Sequence, residues 1–132
     1  MTDALPTVPP SQPMGQPVGR VIAMPADTNP EGDIFGGWLL SQMDLAAASI
    51  AFHRAAGRCA TIAIDGMTFI SPVFVGDEVS LFARVIHTGR TSLKVQVEAW
   101  RRPRDSEQAH KVTEGVFTFV AIDENRKSRP LP

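Results

Sequence analysis

Asp44 stands between Met43 and Leu45, in the middle of the most apolar stretch of this 132-residue chain. A carboxylate in apolar surroundings has to be paired, neutral or placed for a task. Burial raises its pKa toward the range useful for moving protons. The plainer reading is a carboxylate at a helix surface or in an interfacial ion pair, and the residue types alone leave both open. Seven residues before Asp44 comes Gly37, directly after Gly36. Successive glycines let a ligand approach the backbone closely, and the free N–H groups of a helix start can stabilise an oxyanion. A Gly-Gly pair can equally be a flexible junction between loop and helix. Together the two features suit addition to a carbonyl: amides hold the developing negative oxygen, and a carboxylate attacks or activates water.

Spacing adds a constraint. On a helix, seven residues bring Gly37 and Asp44 to nearly the same face but separate them by ~10 Å along the axis. A reacting carbonyl must sit ~3 Å from both its oxyanion donors and its base or nucleophile. One straight helix cannot supply both to one carbonyl. If both groups work, Asp44 of one subunit serves with the Gly37 amide of another, in a two-fold dimer with paired sites at the interface.

The elements that must position these groups are legible in the periodicity. Residues 1–17 hold five of the eleven prolines and read as a loosely attached or disordered arm. The folded domain is expected over 18–132. Val18 to Met24 reads as a short strand, and Asp27 to Phe35 as loop, crowded with Pro, Asn, Gly and Asp. Gly36 to Ala56 is rich in Leu, Ala and Met and apolar on nearly every face, which predicts a buried helix capped by Gly57. Strands follow at Cys59–Ile70, Glu78–Thr88, Thr91–Arg101 and Lys111–Ile122. The alternation is clearest in Leu93, Val95, Val97 and Ala99 against Ser92, Lys94, Gln96 and Glu98. Phe82 and Trp100 fall on the polar side of their strands and read as interface residues rather than core. One strand, one long helix and four long strands make an α+β arrangement, a long antiparallel sheet curled round the helix.

Composition excludes several classes. With 43% hydrophobic residues, 20% charged and a net charge of −1, the chain reads as one ordinary globular domain. Near-neutral charge gives no reason to expect a nucleic acid or an anionic membrane as partner. No stretch approaches a membrane span, and the N-terminus lacks the pattern of a signal peptide. The single cysteine, Cys59, permits no intrachain disulfide, as suits a cytoplasmic protein. The three histidines have no metal-ligand spacing, so no metal is expected. Asp27, Asn29 and Glu31 faintly echo a calcium loop, but Trp38 stands where its bidentate Glu belongs. No Gly-x-Ser-x-Gly elbow occurs. Cys59 reads as a buried structural thiol and His53 as a helix-end cation.

The run from Met24 to Asp44, MPADTNPEGDIFGGWLLSQMD, resembles the signature of hot-dog-fold acyl-CoA thioesterases of the YciA type. Gly66-Met-Thr-Phe69, Pro72-Val73, Val75-Gly-Asp77, Gly89-Arg-Thr-Ser92 and Phe119-Val-Ala-Ile-Asp123 match in order. The resemblance covers the chain from about Val18 onward. It implies the hot-dog fold, hydrolysis of acyl-CoA to free coenzyme A and a carboxylic acid, and dimers assembled further, often as hexamers. It implies that Asp44 is the catalytic acid, and that Gly36 and Gly37 form the oxyanion site. It also implies that Asn29 orients water or thioester across the interface. From its neighbours alone, Asn29 is a turn residue before Pro30. Many wider relatives carry His-Gly-Gly where this chain has Phe35-Gly-Gly, so no histidine is assigned there.

No cofactor is expected, because coenzyme A is part of substrate and product. Its nucleotide phosphates would meet Gly89, Arg90, Thr91 and Ser92, where an arginine, hydroxyls and backbone donors converge. The basic runs Arg101-Arg102-Pro-Arg104 and Arg126-Lys127-Ser-Arg129 are the other candidates. Met43, Phe52 and Phe69 are the side chains expected to set acyl length. A non-catalytic acyl-CoA-binding module is the competing function, and the intact set of Asn29, Gly36, Gly37 and Asp44 argues against it. A hot-dog dehydratase is weaker, for want of a histidine in the motif region.

Overall fold

A computed structural model of the chain describes residues 15–132. The arm expected over 1–17 lies outside these residues as far as residue 14. The elements run β1 (Gly19–Ile22), α1 (Gly36–Ala55), β2 (Cys59–Asp65), β3 (Glu78–Thr88), β4 (Ser92–Arg102) and β5 (His110–Ala121), with a 3₁₀ turn at Pro25–Asp27. The five strands form one antiparallel sheet in the order β1-β3-β4-β5-β2. Both β1 and β2 are therefore edge strands.

Helix α1 packs on the sheet through a stripe at every fourth residue: Leu39, Met43, Ala47, Ala51 and Ala55, all at most 2% exposed. Three alanines in that stripe let the helix axis come close to the strands. The opposing surface is Val79 and Leu81, then Leu93, Val95, Val97 and Ala99, then Phe117 and Phe119, all buried. The helix ends where Ala56 turns left-handed, at φ 53°. Arg129 then caps it from far along the chain, donating Nη1 to the Ala55 carbonyl at 3.0 Å and Nε to the Ile122 carbonyl at 3.0 Å.

Three expectations need correction. Helix α1 is not enclosed on every side: Leu45 is 68% exposed and Phe52 41%, so the chain leaves one apolar helix face bare. Strand β2 stops at Asp65 rather than Ile70, because Gly66 takes a left-handed φ of 73° and breaks the ladder. The chain then rejoins β5 loosely, where the Ile70 N–H reaches the Val112 carbonyl at 2.8 Å. Phe82 and Trp100 are each only 2% exposed, buried within the chain itself. Trp100 donates its indole N–H to Glu98 at 2.9 Å on that outer face of the sheet.

The break after β2 rests on Gly115 of β5. A methyl group there would lie 2.5 Å from Met67 Sδ and 3.2 Å from the Asp65 carbonyl. Gly115→Ala is expected to cost about 1–3 kcal/mol through overpacking. It should appear as a lower urea midpoint with an unchanged slope. An unshifted midpoint would mean that Met67 swings aside freely.

Candidate active site

Asp44 lies on α1 where the helix passes the edge strand β2, and it is half-buried. Its Oδ1 accepts a hydrogen bond from the Thr61 hydroxyl at 2.8 Å. Thr61 directly precedes a bulge: the register of β2 on β5 slips between Thr61 and Ala63, leaving Ile62 as the extra residue. Bulges commonly re-aim side chains beside functional sites. Asp44 makes no ion pair among the described residues. Of the two plain readings, the helix-surface one agrees with this half-buried position, and an interfacial ion pair would need a second chain. Oδ2 has no hydrogen-bond partner among the described residues.

The helix start is open to a ligand. Phe35 occupies the N-cap and has no side-chain group to cap with. The Trp38 and Leu39 amides turn back to the Phe35 carbonyl at 3.1 and 3.4 Å. The Gly36 and Gly37 amides have no acceptor among the described residues. Gly36 forms one end of an apolar cleft of about 250 Å³, whose walls include Phe35, Leu39, Phe69, Val73 and Val112. A side chain on Gly36 would stand 3.3 Å from the Phe69 ring, so glycine keeps the approach clear. Asp44 does not line this cleft. Gly36 and Asp44 thus lie apart in one chain.

Asn29 is both the turn residue of the plain reading and a candidate donor. Its Oδ1 accepts the Glu31 and Asp33 amides at 3.1 and 3.0 Å, which fixes the loop ahead of α1. With Oδ1 committed, only the side-chain amide N–H groups remain for another molecule. They have no acceptor among the described residues.

The Gly89–Ser92 turn closes on itself through Gly89 N–H to the Ser92 carbonyl at 2.7 Å. The C-terminal segment braces it, the Leu131 amide reaching the Arg90 carbonyl at 2.9 Å. Arg90 is exposed, and the Thr91 and Ser92 hydroxyls have no protein partner among the described residues. The same C-terminal segment reaches the end of α1, where Arg54 donates Nη1 to the Pro132 carbonyl at 3.1 Å. The basic runs divide: Arg101, Arg102 and Arg129 are engaged inside the chain, while Arg104, Arg126 and Lys127 are exposed.

Of the side chains expected to set acyl length, Phe69 lines the cleft and Phe52 is exposed on α1. Met43 is fully buried against the sheet and cannot face a ligand. Cys59 is buried as expected, and that burial pushes its thiol above its ordinary value against the opposing charge of Arg129. It is an inert thiol. Thr61, through its hydrogen bond to Asp44, is the contact that the sequence did not reveal.

A family model described as "Thioesterase superfamily" matches residues 31–107. The chain is 50% identical over 123 residues to the acyl-CoA thioester hydrolase YciA of Salmonella typhimurium, covering 91% of this chain and 92% of that one. Among solved structures it is similar to a hexameric thioesterase from Yersinia pestis. The TM-score there is 0.87 at 50% identity, over 92% of this chain and 98% of that one. It is also similar to a hexameric broad-specificity acyl-coenzyme A thioesterase, with TM-score 0.86 at 46% identity, over 92% and 84%. The chain belongs to the thioesterase superfamily and has its hot-dog fold.

Proposed function

We propose that the protein hydrolyses acyl-coenzyme A to free coenzyme A and a carboxylic acid, at sites shared between two subunits. The observation that carries this reading is the layout of α1. Gly36 opens onto an apolar cleft, it and Gly37 present uncapped amides at the helix start, and a carboxylate two turns later lies beside the edge strand β2. The amides polarise the thioester carbonyl. Asp44 of the other subunit, held by Thr61, activates water or attacks directly. The Asn29 side-chain N–H groups orient water or thioester, and the acyl chain runs into the cleft. Water is the co-substrate, so the reaction calls for no cofactor and no metal.

The apolar edge fits the same reading. Ile62 and Ile64 on β2, with Leu45 and Phe52 on α1, are 37–68% exposed in one chain. A second copy would cover them. Hexamers among similar structures support further assembly. No helix among the described residues is long and apolar enough to cross a membrane. The substrate class and the lone buried thiol favour the cytoplasm.

Thiol release from a panel of acyl-CoA lengths tests the proposal, and no release from any of them would sink it. In the same assay Arg90→Ala should raise KM roughly tenfold, as loss of one charge-assisted phosphate contact would, with a much smaller fall in kcat. An unchanged KM would remove Arg90 from the coenzyme A site.

A further inference from the structure

Residues 71–77 join the wall of the cleft to the start of β3, and Ser71, Pro72 and Val73 line the cleft directly. The backbone on either side is tied down: Ile70 N–H to Val112 at 2.8 Å before, Gly76 N–H to Ala23 at 2.8 Å after. Between Ser71 and Val75 no backbone hydrogen bond reaches another element among the described residues. One side chain from β4 supplies what the backbone does not. Arg101 donates Nε to Ser71 Oγ at 3.1 Å. Its Nη1 lies 3.5 Å from Asp77 Oδ2. Its guanidinium sits over the Phe74 ring, 5.4 Å from the centroid. Asp77 is 4% exposed, and the same Oδ2 accepts the Phe74 amide at 2.9 Å. A planar fork with a stacking face can meet a hydroxyl, a carboxylate and a ring together, which an ammonium cannot.

We propose that Arg101 is a positioning residue that sets the acyl wall of the cleft and so governs discrimination between long and short acyl groups. This rests on the reading of the cleft as the acyl site. A short acyl group contacts little beyond Gly36. A longer one must lie along Pro72 and Val73, whose place depends on the Arg101 contacts. Small displacements of a wall are felt by the ligand portion that touches it. Loss of Arg101 therefore penalises long chains more than short ones.

The test measures binding apart from turnover. Calorimetry with the non-hydrolysable thioethers S-octyl-CoA and S-ethyl-CoA gives a ratio of affinities for the intact oligomer. In Arg101→Gln that ratio should fall about tenfold, a size in keeping with displaced binding groups. In thiol-release assays KM should rise for octanoyl-CoA much more than for acetyl-CoA, with kcat moving less. Arg101→Lys should recover thermal stability through Asp77 without recovering the ratio, whereas a merely structural role would restore both. Should Arg101→Gln fail to fold, Ser71→Ala removes the wall contact alone and should still lower the ratio about threefold. A folded Arg101→Gln, or failing that Ser71→Ala, with the wild-type ratio overturns the proposal. Wild-type protein that binds the thioethers with the expected ratio but releases no thiol would sink hydrolysis and leave Arg101 in its role.

Discussion

Asp44→Ala should lower kcat by about 10³-fold, or ~4 kcal/mol of barrier, while the protein stays folded and oligomeric. A positioned base alone contributes ~10²–10⁴-fold, and a covalent nucleophile cannot be replaced by methyl at all. Stability should change little, because Asp44 is half-buried, unpaired by any cation among the described residues, and loses only the Thr61 hydrogen bond. KM should move less than kcat, since the helix-start amides and the cleft stay in place. Activity within tenfold of wild type would remove Asp44 from the reaction. Single turnover in heavy-oxygen water then separates its two roles: label entering Asp44 marks direct attack, and its absence marks a general base. Thr61→Val gives a second reading of the same group. It frees Oδ1 without removing the carboxylate, and a fall smaller than that of Asp44→Ala would place Thr61 as its holder.

The parts of this fold that the sequence made legible are those where one periodicity holds without interruption. Strand β3 has the expected bounds, and β4 differs by one residue at each end, because Val79, Leu81, Leu93, Val95, Val97 and Ala99 alternate onto one continuous core. Helix α1 differs by a single residue, but its left-handed cap is Ala56 rather than the expected Gly57, which follows at φ 153°. The errors have another origin. The apolar alternation of Cys59 to Ile70 runs straight through Gly66, whose left-handed turn depends on how Met67 settles against Gly115 in a distant strand. Phe82 and Trp100 were legible as belonging to the outer face, but not that this face buries them within one chain. The site divided in the same way. Asp44 and the glycines could be found, because a carboxylate amid apolar residues and a Gly-Gly at a helix start are local oddities. Thr61 could not, because its link to Asp44 spans 17 residues and depends on the helix passing the bulge in β2. Asn29 was legible as a turn residue, and its two backbone-bound contacts agree with that. What the turn does to its free amide is visible only once Oδ1 is seen to be occupied.

Mixed oligomers should recover activity that neither parent has. Gly37→Pro removes the amide proton, and the first turn of a helix tolerates proline. Its oxyanion site should be crippled while its Asp44 stays intact. Asp44→Ala has the opposite defect. If each site draws Gly37 from one subunit and Asp44 from the other, a heterodimer of the two variants contains one whole site and one doubly damaged site. Random pairing makes half the dimers hetero, so an equal co-expression should show about a quarter of wild-type activity. If one chain supplied both groups, every site in the mixture would carry a defect and activity would stay at the level of the parents. Co-expression with two affinity tags and tandem purification isolates the heteromer, where the expected value rises toward one half. The contrast is large because it sets a quarter to a half of the wild-type rate against a loss of about 10³-fold. The physical reason is the rise of a helix: at 1.5 Å per residue, Gly37 and Asp44 stand ~10 Å apart, and only a second, oppositely running helix can bring such a pair to one carbonyl.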